Sequence, residues 1–171
     1  ASICSRAICS AGPSPLSLHD LNHAAAQPLL NTGPIDLASQ PTTRRSILLT
    51  GCSSGIGYAA AQRLQHRGYH VLASARQAKD VERLRQAGLT ALQLDLTDSG
   101  SIERAVETAL AHTGGRLYGL FNNGAYGQGG AVEDLSRAVL REQLETNLLG
   151  WHELTCRVLP SMRAQGEGRI V

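Results

Sequence analysis

Thr50-Gly51-Cys52-Ser53-Ser54-Gly55-Ile56-Gly57 links an apolar run, Ser46-Ile47-Leu48-Leu49, to a helical pattern from Tyr58 to Arg67. A short apolar run bounded by turn formers reads as a buried parallel strand. A strand that feeds a glycine-rich turn and then a helix makes a cradle for the phosphates of a dinucleotide. The helix start offers main-chain N–H groups and the positive end of its dipole, both suited to a pyrophosphate. In this reading Gly51 makes the turn, Gly55 lets phosphates approach, and Gly57 allows helix and strand to pack closely. Ser53, Ser54 and Ile56 complete the candidate phosphate contacts.

The rest of the chain narrows the classes open to it. Its 171 residues, 42% of them hydrophobic, suffice for one domain with a substantial core. A net charge of +2, with charged residues at 18%, gives no basic surface for nucleic acid and no argument for an acidic partner. No apolar run approaches membrane-spanning length. Cys4, Cys9, Cys52 and Cys156 lack zinc or redox spacing and read as free thiols of a reducing cytosol. The histidines are scattered and form no metal set. Residues 1–44 are rich in Ser, Pro and Ala and poor in charge, so a disordered or poorly structured extension is expected there. Leu16 to Ala26 offers one short helical stretch within it. The Ser-rich, acid-poor start with its single Arg6 is similar to an organelle transit peptide only in part, and no secretory apolar region is present. A cytoplasmic location is the expectation, and the missing initiator methionine suggests a fragment.

From Arg45 onward, strand and helix patterns alternate. His70 to Ser74 is strand-like, Asp80 to Ala87 helical, and Thr90 to Leu94 a third strand. Asp98 is placed to cap a helix over Ser99–His112, whose Ile102, Ala105, Val106 and Ala109 share one face. Leu117 to Phe121 is a fourth strand. Ser136 starts a long helical pattern to about Arg163, weakened at Gly150 and Pro160, and Arg169-Ile170-Val171 opens a fifth strand. Strict alternation predicts an α/β fold with a doubly wound parallel sheet of the Rossmann type, incomplete at about four strands plus the start of a fifth.

With these elements in order, residues 45–171 resemble the amino-terminal part of a short-chain dehydrogenase/reductase of the single-domain branch. Four features carry the resemblance: the spacing of Gly51, Gly55 and Gly57; Asp95 after the third strand; Asn122-Asn123-Gly124-Ala125 after the fourth; and Asn147-Leu148-Leu149-Gly150 within the long helix. The family has Asn-Asn-Ala-Gly where this chain has Gly124 and Ala125 exchanged. The resemblance implies that Asp95 and the adjacent Leu96 meet the adenine, although an Asp there is also a common turn former. It implies that Asn123, Gly124 and Ala125 line the cofactor or support the central strand. It implies that Asn147 loosens the helix so that a main-chain carbonyl holds a water of a proton relay. An Asn at this position also reads as a solvent-facing residue.

Arg76 bears on the choice of cofactor. The family's NAD-binding members carry an acidic residue at the end of the second strand, and here Ala75 stands there. A guanidinium forks onto phosphate, so Ala75 and Arg76 point to NADP(H) in preference to NAD(H), against the plainer reading of a solvated surface arginine. The catalytic signature is missing. Lys79 is the only lysine and Ala75 lies four residues before it, so no Tyr-x-x-x-Lys exists in the chain. Tyr126 has Gly130 where the lysine would stand, and is placed to shape the mouth of the pocket.

Two functions remain open at this point, beside a third possibility of a structural domain with no ligand. One is the cofactor-binding half of an NADP(H)-dependent oxidoreductase, truncated at its carboxyl end, acting in full length on a small carbonyl or alcohol substrate and, as the resemblance implies, packed as a homo-oligomer. The other is a non-catalytic module that binds NADP(H) or a partner.

Overall fold

The computed structural model describes residues 44–171. The expectations for the amino-terminal stretch, including the helix over Leu16–Ala26, and the thiols of Cys4 and Cys9 lie outside the described residues.

Five parallel strands form one sheet in the order β3-β2-β1-β4-β5. They are β1 (Ser46–Leu49), β2 (His70–Ala75), β3 (Thr90–Gln93), β4 (Gly119–Phe121) and β5 (Arg169–Ile170). Between them run α1 (Gly55–His66), α2 (Ala78–Gln86), α3 (Ser99–His112), α4 (Arg137–Leu144) and α5 (Trp151–Gln165). This is a Rossmann-type doubly wound fold. In the register, Leu48 of β1 lies beside Leu72 of β2 and Leu120 of β4.

Side chains alternate across a strand, so β1 serves both faces of the sheet. Ile47 and Leu49 join Val71 and Ala73 against Ala61 of α1 and Val81 and Leu84 of α2. Leu48 joins Leu72 and Leu120 on the other face, against Ile102, Ala105 and Ala109 of α3 and Leu154, Val158 and Met162 of α5. Burial of β1 on both faces is the reason its sequence is a continuous apolar run.

The element limits differ from the sequence pattern in instructive places. Helix α1 starts at Gly55, three residues before Tyr58, because the first turn of the helix is the glycine turn itself. Strand β4 starts at Gly119 and not at Leu117. The Leu117 backbone turns to α5 instead: its N–H donates to Ser161 Oγ (3.2 Å) and its carbonyl accepts from Gln165 Nε2 (2.8 Å). The long helix is interrupted as well. A six-residue π-helical stretch, Glu145–Gly150, separates α4 from α5 and contains Asn147. Pro160 sits on the exposed side of α5, where water can satisfy the carbonyl that its ring leaves without a donor. Ser136 and Asp98 both cap as expected, accepting from the Val139 and Gly100 amides. No helix among the described residues is long and apolar enough to cross a membrane.

Candidate functional site

The strand order reverses direction between β2-β1 and β4, and that switch point lies at the carboxyl ends of the strands. A cleft of about 220 Å³ opens there. Its walls come from the residues that follow each strand: Thr50, Gly51 and Ser53 after β1; Arg76 after β2; Leu94, Asp95 and Leu96 after β3; Gly124, Ala125 and Tyr126 after β4. Thr146, from the π-helical stretch, completes it. A roomier cleft of about 400 Å³ sits at the opposite edge, around Arg45, His70, Arg116 and Tyr118. It has no glycine turn, and ligands of parallel sheets bind outside the carboxyl ends of the strands, so the smaller cleft is the candidate.

The glycine turn is held by contact as well as by conformation. Gly51 has φ +68°, and a methyl group there would lie 2.5 Å from the Gly124 Cα. A methyl on Gly57 would strike the Gly51 carbonyl and the Asn123 amide. Gly57 therefore packs the helix against the turn and the β4 loop, not against the strand as its spacing suggested. Ser54, Gly55 and Ile56 form the start of α1 on the rim of the cleft. No side chain caps α1, in contrast to α3 and α4. Among the described residues the first-turn N–H groups of α1 thus receive no side-chain cap, which fits an anionic ligand such as a pyrophosphate.

One hydroxyl organises the loop after β4. Thr50 Oγ1 donates to the Phe121 carbonyl (3.3 Å) and accepts from the N–H groups of Asn123 (2.9 Å) and Gly124 (2.7 Å). Asn123 Nδ2 donates to the carbonyls of Thr50 and Gly51, so Asn123 braces the cleft from behind and does not line it. Asn122 bonds to Thr155 through Nδ2, while its Oδ1 is buried without a partner among the described residues. Ala125 is exposed at the cleft wall, and Gly124 packs against Thr50 and Gly51.

Asp95 forms a local turn at the edge of the cleft. Its Oδ1 accepts from the Thr97 N–H (3.0 Å) and Thr97 Oγ1 (2.8 Å), a local turn, while the residue lines the cleft beside Leu96. Arg76 is exposed at the opposite wall from Gly124, across β1. Asn147 does not reach the cleft. Its side chain pairs with the backbone of Tyr126.

Several participants were not singled out by sequence. Thr50, Leu94 and Thr146 line the cleft, beside Tyr126, which the sequence had placed at its mouth. Arg83 of α2 pairs with Asp80 and donates to the Ser53 carbonyl, tying α2 to the glycine turn. Cys52 is fully buried, its amide bound to the Ser74 carbonyl (2.8 Å). Burial pushes its thiol up to about 11, against the lowering effect of the Ser74 backbone hydrogen bond. Cys52 is therefore a packing residue of the turn.

A short chain dehydrogenase family model matches residues 45–171. The chain belongs to the short-chain dehydrogenase family. The uncharacterized oxidoreductase YbbO of Escherichia coli K12 is 45% identical over 128 residues, covering 75% of this chain and 48% of that protein. Human 11-beta-hydroxysteroid dehydrogenase type 2 is 38% identical over 138 residues, covering 77% of this chain and 34% of that protein. This chain thus spans about half the length, or less, of these curated relatives. Among solved structures, a short-chain dehydrogenase from Streptomyces avermitilis superposes with TM-score 0.71 at 33% identity, covering 77% of this chain and 49% of that one. A variant of the actinorhodin polyketide ketoreductase, solved with NADPH, gives TM-score 0.68 at 32% identity over 74% of this chain and 51% of that one. Members of the family bind nicotinamide dinucleotides, and the cleft lies at the carboxyl edge of the sheet, where ligands of such folds bind.

Proposed function

We propose that this chain is the cofactor-binding half of an NADP(H)-dependent oxidoreductase that acts on alcohol and carbonyl groups by hydride transfer. Residues 45–171 are the amino-terminal part of its dinucleotide domain, and residues 1–44 are an extension to it. When bound, the coenzyme supplies the hydride that passes between nicotinamide C4 and a substrate carbonyl carbon. The uncapped start of α1, with Ser53, Ser54, Gly55, Ile56 and Gly57, holds the pyrophosphate. Arg76 takes the 2′-phosphate, Asp95 and Leu96 hold the adenine, and Asn123, Gly124 and Ala125 support the nicotinamide side. Asn147 sits in the π-helical stretch, where the hydrogen-bond ladder of the helix is altered. That geometry supports its role as the remnant of a proton relay.

The observation that carries the NADP(H) preference is the end of β2. The strand closes on Ala75, with no carboxylate to repel a phosphate, and Arg76 stands at the cleft. The test is Arg76→Asp, read by titrating NADPH and NADH against each protein. NADPH should bind the parent more tightly than NADH, and the variant should lose about tenfold or more for NADPH. Unchanged NADPH affinity in the variant would refute the assignment.

This chain alone is expected not to turn over substrate, because it contains no Tyr-x-x-x-Lys. The same absence supports a second reading, a non-catalytic module that binds NADP(H). The coding sequence beyond Val171 separates them: a serine and a Tyr-x-x-x-Lys downstream support the enzyme.

A further inference from the structure

We infer that Trp151 is a positioning residue for the coenzyme, setting the cleft wall after β4 through one hydrogen bond from its indole N–H to the Gly124 carbonyl. The inference rests on the reading of the cleft as an NADP(H) site.

The bond is 2.8 Å long and spans 27 residues of sequence. Both main-chain groups of Gly124 are thus held: its carbonyl accepts from the indole, and its N–H donates to Thr50 Oγ1. A methyl on Gly124 would lie 3.1 Å from the Gly51 nitrogen and 3.2 Å from Thr50 Cβ, so the turn has almost no room to move toward β1. On the side of α5 the indole holds the Gly124 carbonyl. The ring itself is anchored, being half-buried against the α3–α5 face of the core. The preceding residue, Gly150, is buried and lies so close to Leu96 that a methyl there would strike the Leu96 carbonyl. The start of α5 therefore touches the wall after β3 and the wall after β4 at two consecutive residues. It cannot shift toward one without pressing on the other.

The two walls take different halves of the ligand. Arg76 and Asp95 lie on the β2-β3 side of β1, and Gly124 lies on the β4 side. A dinucleotide whose 2′-phosphate meets Arg76 lays its other half against Gly124. Loss of the indole bond releases the Gly124 carbonyl and loosens only that half of the site.

The experiment uses the full-length protein that carries this chain, with Trp151→Phe as the variant. Two ligands are titrated calorimetrically: NADPH and adenosine 2′,5′-bisphosphate, which is the adenosine half alone. NADPH binding should weaken about five- to tenfold, the worth of one hydrogen bond to a half-buried carbonyl. Binding of adenosine 2′,5′-bisphosphate should stay the same, which a general loss of structure would not allow. A sulfur isostere of tryptophan placed at position 151, lacking only the N–H, should reproduce the result even if the Phe variant folds poorly. Equal NADPH affinity in parent and isostere would overturn the role of Trp151 while leaving the cofactor reading intact. A parent that binds neither ligand would overturn both.

Discussion

The side chain of Asn147 and the backbone of Tyr126 exchange two hydrogen bonds, Nδ2 to the Tyr126 carbonyl at 2.7 Å and the Tyr126 N–H to Oδ1 at 3.2 Å. The amide thus imitates a neighbouring strand and fixes the loop after β4 to the π-helical stretch. Asn147→Leu keeps the volume and removes both bonds. It should lower stability by about 1–2 kcal/mol and free the Tyr126 amide. Urea denaturation measures the first effect and amide hydrogen exchange the second. A Tyr126 amide as protected in the variant as in the parent would show that the clasp is not what orders the loop.

Gly57→Ala and Gly55→Ala should separate crowding from conformation. Alanine favours a helix over glycine by about 1 kcal/mol, which predicts stabilisation if propensity wins. At position 57 a methyl meets the Gly51 carbonyl and the Asn123 amide, so crowding should win, with a net loss of about 1–3 kcal/mol. At position 55 nothing lies within 4 Å of the added methyl, but φ is +58°, so the loss should be smaller, about 1 kcal/mol. Denaturation midpoints in the reverse order would contradict the packing described for the turn.

Acid should weaken the join between α3 and α5. Glu153 accepts from Ser99 Oγ (2.8 Å) and Arg157 Nε (3.0 Å), and these two hydrogen bonds hold its carboxyl below the ordinary carboxylate value. The folded pKa is depressed, so the contribution is fully present above the unfolded value of about 4.3 and is lost as pH falls through the folded value. Glu153→Gln should flatten the acid limb of a melting-temperature profile and leave the neutral region little changed. Identical acid limbs would place the sensitivity elsewhere.

Thiol chemistry should divide the two cysteines of the domain. Cys52 is fully buried with its thiol pushed up to about 11, whereas Cys156 is exposed on α5. Iodoacetamide at mildly alkaline pH, followed by peptide mapping, should label Cys156 quickly and Cys52 only on unfolding. Rapid native labelling of Cys52 would mean that the glycine turn opens far more often than its packing allows.

Leu140, Leu144, Leu148 and Leu149 are about half exposed along α4 and the π-helical stretch. Such a stripe favours self-association. Light scattering on this chain should report species larger than a monomer, and the double variant Leu140→Glu, Leu144→Glu should reduce them. A monodisperse monomer in the parent would argue against the stripe as an adhesive surface.

Much of this protein could be read locally. The helix over Ser99–His112 with its Asp98 cap, the apolar strand before Gly51, and Arg76 just past β2 each follow from neighbours in sequence, because capping, strand burial and turn chemistry act over a few residues. The wall residues Thr50 and Thr146 were harder to single out. Their part depends on partners 20 to 75 residues away, as in the bond from Gly124 N–H to Thr50 Oγ1 across 74 residues. Asn147 was legible as an anomaly, a poor helix former within a helix, but its partner was not.

Periodicity and glycine spacing by themselves determined the class of fold and the place of the glycine turn between β1 and α1, since both arise from the backbone preferences of adjacent residues. Tertiary structure decided what gives the cleft its walls. Only when β1, β4 and α5 are side by side do Thr50 and Trp151 meet the N–H and the carbonyl of the same residue, Gly124, and only close packing shows what Gly57 and Gly150 pack against, the Gly51 carbonyl and the Leu96 carbonyl.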